Sequence, residues 1–575
     1  MTEKSEEKMT QKYDGGELLI EAFDDLGVDV IFSSPGSEWA PAWEALARRQ
    51  AEGVPTPRYL DLMHETVAVG MATGYGLVTR RVQAVLLHAA PGLLQGSMAV
   101  HGALLAGVGM VVTSSESLTY GDGPGQDPGG QWYRNLSIVG GTHHVAQPWT
   151  KWSQQVGSVS TLYTTVKRAG ELADRQPSGP VYLNTPLEIL LEDAERPVRP
   201  KKVVPRGRRV SVPEDVDAVA RILAGAANPV IITETAGREK GGFEALTALA
   251  EEVGIAVVEP ASAVAANIAK TSPAYIGNDV DAIIDAADVI VLVNCRAPFY
   301  PPSKRPATAT MVVIDEIPQR PHIVYQVLNA DHYLEGALPE TLAALRAATL
   351  EQADPDLIAR RREANRAAHD AFQSQTDAIE AKALAVADGI DPIALSVKLR
   401  DIVRAEQATV VDETITHGRL VQRHIGWERP DAFFYVQGGL GQGMAVALGV
   451  KLAVQDGFVL FTVGDGAFLY NPIVQSLLAS KDFDLPVLIV VYNNKKYLSM
   501  KMNHLRFYPQ GSAVQTQNHL GVDLSSQPEL SAFAAPFDMY AAEVDDPTQL
   551  DRVLAEAVAA VKAGTTAVVN VAVTR

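Results

Sequence analysis

A single cysteine, Cys295, stands in 575 residues. That excludes an intrachain disulfide and a thiolate metal site. Beside the apolar run 289–294 it reads as a small buried hydrophobe. Positive charge is also scarce: 49 Lys and Arg against 68 Asp and Glu give a net charge of −19. An excess of that sign argues against nucleic acid or an anionic membrane surface as partner. Uninterrupted apolar runs of spanning length are missing. The richest stretch, 82–112, is broken by His88, Pro91, Gln95, His101 and several glycines, so it reads as buried strand, loop and helix. Residues 1–14 are polar and lack the apolar core of a signal peptide, which makes the cytoplasm the expected compartment. The chain is too long for one hydrophobic core, so about three domains are expected.

Short apolar runs alternate with helical stretches in three blocks. That alternation predicts an α/β fold with parallel sheets flanked by helices. The first block, 15–190, holds strand candidates at 28–32, 82–88, 110–113 and 181–184. The second, 213–345, holds candidates at 230–233, 255–258, 289–293 and 311–315. The third, 392–575, holds candidates at 409–411, 459–462, 487–492 and 567–573. A Pro-, Arg- and Lys-rich segment, 192–212, links the first two blocks. A charged helical stretch, 355–388, links the last two.

The third block carries the sharpest motif. An apolar strand ends in Gly464-Asp465-Gly466, a helical stretch follows, and a second apolar strand ends in Asn493-Asn494. Asn493 follows Asp465 by 28 positions, the length of one strand–helix–strand unit. Both motif ends then lie at the carboxyl edge of a parallel sheet. Asp465 offers a carboxylate and Asn494 an amide oxygen, hard ligands suited to Mg²⁺ shared with phosphates. The flanking glycines and the next helix N-terminus suit a diphosphate. A lone Gly-Asp-Gly also fits an ordinary turn; the strand–helix–strand and the Asn-Asn make it specific.

This pattern, Gly-Asp-Gly, 26 residues, Asn-Asn, resembles the cofactor motif of thiamine-diphosphate-dependent enzymes, and the likeness to their decarboxylase and acetolactate-synthase branch covers nearly the whole chain. The resemblance implies a pyrimidine-binding domain at 15–190, a central domain at 213–345 and a diphosphate-binding domain at 392–575. It implies thiamine diphosphate and Mg²⁺ as cofactors, with Asp465, Asn494 and the main-chain oxygen of Lys496 as metal ligands. Gly464, Gly466 and Ala467 fall in the same motif. The run Gly438-Gly439-Leu440-Gly441-Gln442-Gly443 is similar to a family segment in which a carbonyl, here that of Gly438, receives the cofactor amine and a hydrophobic side chain, here Leu440, wedges its rings. Asp412-Glu413-Thr414-Ile415-Thr416 resembles a phosphate-contacting loop, with Thr414 and Thr416 as hydroxyl donors.

In the first block, His64-Glu65-Thr66 precedes a helix of small residues. Such an acid also fits a plain helix N-terminal charge. Beside the diphosphate motif it resembles the family's activating glutamate, which hydrogen-bonds the cofactor's aminopyrimidine. The family places that glutamate and the diphosphate site in different subunits, which implies a homodimer at least and commonly a homotetramer. Three further segments resemble benzoylformate decarboxylase. Ser34-Pro35-Gly36-Ser37 offers Ser37 to a substrate carboxylate. Leu87-His88-Ala89-Ala90-Pro91-Gly92 offers His88 for proton transfer. Lys151-Trp152-Ser153 resembles the end of that domain.

Departures from that branch are plain. The stretch 294–301 carries no histidine where the central domain of that enzyme supplies one. His143-His144 is similar to the paired histidines of pyruvate and indolepyruvate decarboxylases, in different surroundings. Residues 495–508 are basic, suiting either a solvated helix or an anionic substrate group, and 509–527 has the length and polarity of an active-site lid. No flavin motif stands out in the central block. The expected activity is decarboxylation of a 2-keto acid, with carboligation possible through the same site. The alternatives are an acetolactate-synthase-like carboligase, a 2-hydroxyacyl or acyloin lyase, a non-catalytic thiamine diphosphate binder, and an NAD enzyme built on the 438–443 glycines, which lacks the acidic ribose partner.

Overall fold

The computed structural model describes residues 13–117, 119, 120, 130, 132, 136–138, 140–198, 207–296, 298, 299, 305, 306, 308–320 and 330–574. The chain divides into two compact units, Met1–Arg206 and Gly207–Arg575.

The first unit is built on a six-stranded parallel sheet. Its strands are β1 (Val30–Ser34), β2 (Arg58–Asp61), β3 (Gln83–Leu87), β4 (Met110–Ser114), β5 (Trp152–Gln155) and β6 (Pro180–Asn184), in the order β2-β1-β3-β4-β6-β5. The four interior strands are buried along their whole length, because helices cover both faces. The apolar stretch 82–112 resolves into β3, the helix Ala89–Ala106 and β4.

The second unit holds two parallel sheets. The first has β7 (Pro229–Thr233), β8 (Ala256–Val258), β9 (Val289–Val293), β10 (Thr310–Ile314) and β11 (His332–Leu334), in the order β11-β10-β9-β7-β8. The second has β12 (Thr409–Glu413), β13 (Phe433–Tyr435), β14 (Val459–Gly464), β15 (Leu488–Asn493), β16 (Tyr540–Val544) and β17 (Ala567–Ala572), in the order β13-β12-β14-β15-β17-β16. That order repeats the first sheet strand for strand, so the first and third sheets share one topology. Cys295 is buried at the end of β9, as a small hydrophobe would be.

The charged stretch after the middle sheet forms one long helix, Pro355–Leu384. Its Glu380 takes Arg400 at 2.8 and 2.9 Å and His424 at 2.9 Å. Of the 192–212 linker, residues 199–206 lie outside the described residues. Among the described residues no helix is long and apolar enough to cross a membrane.

Candidate active site

In the first unit, three segments meet at the carboxyl edge of β1 and β3. The chain leaves β1 through Pro35 and Gly36 into a 3-10 turn, Ser37–Trp39. Trp39 is fully buried and its Nε1 donates to the Leu87 carbonyl at 2.9 Å, clamping this loop to the end of β3. Glu38 is carried inward and is 1% exposed. Its carboxylate receives His88 Nδ1 at 2.9 and 3.1 Å and the Ala89 N–H at 3.0 Å. A carboxylate only accepts, so Nδ1 carries the proton and Nε2 is the free end of the ring. The hydrogen bond that His88 donates to Glu38 raises the His88 pKa, against the opposing effect of burial, and the charges of Glu38 and then Glu65 add to the rise. Gly36 is required here: a Cβ would lie 2.0 Å from His88 Nδ1 and 2.3 Å from a Glu38 oxygen.

Glu65 opens the helix Glu65–Thr79, behind His64, whose Nδ1 caps the Thr66 N–H. The Glu65 side chain lies over the glycines of helix Ala89–Ala106. A Cβ on Gly92 would fall 3.0 Å from the His88 Cβ and 3.2 Å from Glu65 Oε1, and one on Gly96 would fall 3.3 Å from the Glu65 Cβ. His88 and Glu65 therefore converge on Gly92. Ser37 sits on the same loop as Glu38 but faces outward and is exposed. His143 and His144 lie on the short helix Thr142–Ala146, with ring centroids 4.2 Å apart. His143 is held toward its neutral form by burial and then by His144.

In the second unit, the candidate residues gather at the carboxyl ends of β12, β14 and β15. The sheet order reverses between β12 and β14, the switch point where open α/β sheets bind ligands. Asp465 begins the helix Asp465–Tyr470 directly after β14. Its Oδ1 accepts the Gly466 N–H at 2.9 Å, while its buried Oδ2 has no hydrogen-bond partner. Burial pushes its pKa up to about 6. A Cβ on Gly464 would meet nothing within 4 Å, which leaves open space above the motif. Past β15, Asn493 Oδ1 accepts the Lys495 N–H at 3.0 Å and Asn494 Oδ1 the Lys496 N–H at 3.1 Å. The Lys496 carbonyl accepts the Leu498 N–H at 3.0 Å.

On β12, Asp412 Oδ1 takes the Thr414 N–H at 3.0 Å, the Thr414 hydroxyl at 2.7 Å and the Thr462 hydroxyl at 2.8 Å. Thr414 is thus buried with its hydroxyl turned to Asp412, and Thr416 is half-buried. The glycine run 438–443 forms a turn before helix Gly443–Val454, with Gly438 at φ 98 and Gly441 at φ 93. Its Gly441 and Gln442 N–H groups are bound by Glu413, each at 2.9 Å. A dinucleotide fingerprint needs such groups for a pyrophosphate, so the NAD reading fails on this geometry. The basic segment forms helix Leu498–Phe507, which buries no residue. It is tied at its base by Tyr497 N–H to Val522 O at 2.8 Å and Leu524 N–H to Lys495 O at 2.9 Å.

Two family models match the chain. The thiamine pyrophosphate enzyme N-terminal TPP binding domain covers residues 13–147, and the corresponding C-terminal TPP binding domain covers residues 415–571. The chain belongs to the thiamine pyrophosphate enzymes. Within that family it is 21% identical over 573 residues to a probable acetolactate synthase large subunit of Methanococcus aeolicus, covering 95% of this chain and 90% of that one. It is 26% identical over 493 residues to a probable 2-ketoarginine decarboxylase of Pseudomonas aeruginosa, covering 83% and 82%. Its fold is similar to that of benzoylformate decarboxylase from Polynucleobacter necessarius, with a TM-score of 0.77 at 19% identity, over 98% and 99% of the two chains.

The residues present fit the cofactor of these enzymes. Asp465 keeps a buried oxygen that makes no hydrogen bond, an arrangement stabilised by a cation. Among the described residues no cluster of three His, Cys, Asp or Glu could hold a metal. One carboxylate with an amide and a main-chain oxygen would suit a Mg²⁺ that takes its other ligands from phosphates. Two residues of this thiamine pyrophosphate enzyme escaped the sequence reading, Glu38 and Glu413. A signal for Glu413 was present: two successive acids, Asp412-Glu413, close an apolar strand flanked by apolar strands. Glu38 had none beyond its place in a Pro-Gly-Ser-Glu turn.

Proposed function

We propose that this thiamine pyrophosphate enzyme decarboxylates a 2-keto acid, using thiamine diphosphate and Mg²⁺. The observation that carries the reading is the convergence of Glu65 and a Glu38-bound His88 on Gly92. When bound, thiamine diphosphate supplies an electron sink for cleavage of the bond next to a carbonyl. Glu65 would share a proton in a hydrogen bond with the pyrimidine ring nitrogen, the Gly438 carbonyl would accept from the amine, and Leu440 would pack against the rings. Thr416, Gly464, Gly466 and Ala467 would line the diphosphate, and Asp465, Asn494 and the Lys496 carbonyl would hold Mg²⁺, whereas Thr414, expected as a further hydroxyl donor, is committed to Asp412. Loss of carbon dioxide from a 2-keto acid requires one proton at the carbon that carried it. His88 Nε2 is positioned to give that proton, because Glu38 fixes the ring through Nδ1 and favours its charged form. Ser37, exposed on the same loop, is the candidate hydrogen-bond donor to the substrate carboxylate.

The sheets of this reading are a pyrimidine-binding domain at 15–190, a central domain at 213–345 and a diphosphate-binding domain at 392–575. The assembly is a homodimer at least, and a homotetramer as a pair of dimers. Carboligation is the second reading, supported by the acetolactate synthase likeness over 95% of the chain. It uses the same residues, with a second carbonyl carbon bonding to the carbon that lost carbon dioxide and the proton from His88 going to that carbonyl's oxygen.

The test is carbon dioxide release from a panel of 2-keto acids with thiamine diphosphate and Mg²⁺, beside Glu65→Gln. The reading predicts release that needs the cofactor and collapses in the variant. No release from any acid by a protein that binds the cofactor contradicts decarboxylation.

A further inference from the structure

Strand β12 ends on two buried acids, and the second is an anchor. Glu413 is 2% exposed. Its Oε1 holds the Gly441 and Gln442 N–H groups, each at 2.9 Å, and its Oε2 accepts Asn471 Nδ2 at 2.8 Å. Asn471 is itself fully engaged. Its Nδ2 also donates to the Ala467 carbonyl at 2.9 Å, and its Oδ1 accepts the Met444 N–H at 3.0 Å. One carboxylate and one amide thus join three pieces: the end of β12, the 438–443 turn with the helix after it, and the helix that starts at Asp465.

The joint has no slack. A Cβ on Gly441 would lie 2.3 Å from the Tyr470 carbonyl oxygen. One on Gly443 would lie 2.4 Å from the Phe461 ring and 2.8 Å from Glu413 Oε2. With the turn held through its N–H groups, the Gly438 carbonyl has no donor among the described residues.

We propose that Glu413 and Asn471 are a positioning pair, which sets the Gly438 carbonyl and Leu440 at a fixed distance from Asp465 and so fits the site to both ends of thiamine diphosphate. The proposal rests on the thiamine diphosphate reading above. It makes neither residue catalytic, since neither reaches the reacting atoms.

The pair is tested by exchanging its hydrogen-bonding pattern. In Glu413→Gln the amide NH₂ confronts the Asn471 NH₂. In Asn471→Asp two carboxylates face each other. In the double variant the amide at position 413 donates to the carboxylate at position 471, which still accepts the Met444 N–H. Only the bond to the Ala467 carbonyl is then lost. The readouts are titrations of the apoprotein, in Mg²⁺, with thiamine diphosphate and with inorganic diphosphate. The expected result is a loss of ~10-fold or more in thiamine diphosphate affinity in each single variant, as for one mismatched buried hydrogen bond, and recovery of most of it in the double. Inorganic diphosphate, which touches only one end of the site, should bind all four proteins within about threefold on the same reasoning. Unchanged thiamine diphosphate affinity in the single variants, or equal loss of both ligands without recovery in the double, overturns the proposal. Should Glu413→Gln fail to fold, Asn471→Ser removes the amide bridge, leaves the two backbone bonds of Glu413, and gives the same comparison. If the unaltered protein binds inorganic diphosphate but not thiamine diphosphate, the cofactor reading itself fails, which is a separate outcome.

Discussion

Glu38→Gln should change both the acidity and the tautomer of His88. The Glu38 carboxylate accepts from His88 Nδ1 and from the Ala89 N–H with no loss to either. Oε1 already accepts both donors, and Oε2 lies 3.1 Å from Nδ1. A glutamine that keeps its oxygen at Oε1 puts its NH₂ at the Oε2 place, where it opposes a proton on Nδ1 and favours one on Nε2. A charge-assisted hydrogen bond is worth about 1.5–3 kcal/mol net and a neutral one about 0.5–1.5. The difference, about 1–1.5 kcal/mol, corresponds to a fall in the His88 pKa of about one unit. Burial, which already opposes protonation, pushes the same way. The sign for stability follows. The folded-state pKa of His88 is raised, so the pair stabilises the fold below the ordinary histidine pKa of about 6.5 and its contribution is lost as pH rises through the folded value. The assay is a ¹⁵N-histidine NMR titration, with His88 assigned by its loss in His88→Asn. A drop in pKa with a switch from Nδ1–H to Nε2–H is expected. The same pKa and tautomer in both proteins would refute the reasoning.

The same loop predicts that Gly36→Ala, whose Cβ would lie 2.0 Å from His88 Nδ1, lowers the His88 pKa and costs about 1–3 kcal/mol of stability, readable by denaturant unfolding. Asp465→Ala should leave the apoprotein as stable or more so, since it removes a carboxylate whose pKa burial has pushed up to about 6. It should weaken Mg²⁺-dependent cofactor binding by at least the roughly 10–100-fold that changes around a metal ligand cost, checked by titration with Mg²⁺ and thiamine diphosphate. Asp412, pushed up to about 7 by burial, binds a proton in the folded apoprotein that the unfolded chain releases near pH 4. Its contribution to apoprotein stability is therefore fully present in acid, falls by up to about 1.4 kcal/mol per pH unit as pH rises toward 7, and is absent above. The stability difference between the unaltered protein and Asp412→Asn, measured across pH 4–8, should show that slope.

Interior strands were legible in the sequence and edge strands were not. Strands β1, β3, β4, β6, β7, β9, β10, β12, β14, β15 and β17 lie between neighbours and are nearly all apolar, because helices cover both faces. Five of the six edge strands, β2, β5, β11, β13 and β16, escaped. Three carry the reason openly: Arg58-Tyr59-Leu60-Asp61, Trp152-Ser153-Gln154-Gln155 and Tyr540-Ala541-Ala542-Glu543-Val544 face water on one side and mix polar with apolar residues. Only Ala256-Val257-Val258, buried throughout, was visible at an edge. The candidate site divided in the same way. Gly-Asp-Gly and Asn-Asn could be read because their spacing is local to one strand–helix–strand. The Glu38–His88 and Glu413–Asn471 contacts span 50 and 58 positions, and no local pattern announces which distant group an acid will meet.

Proton exchange at C2 of thiamine diphosphate tests the central claim most directly, because it needs no knowledge of the substrate. Exchange into D₂O would be followed by NMR with the protein and Mg²⁺, and then with Glu65→Gln. Exchange strongly accelerated by the protein, and returned close to the free-cofactor rate by the variant although the cofactor stays bound, is the result predicted. Bound cofactor that exchanges no faster than free cofactor, or exchanges equally fast in Glu65→Gln, would contradict the account.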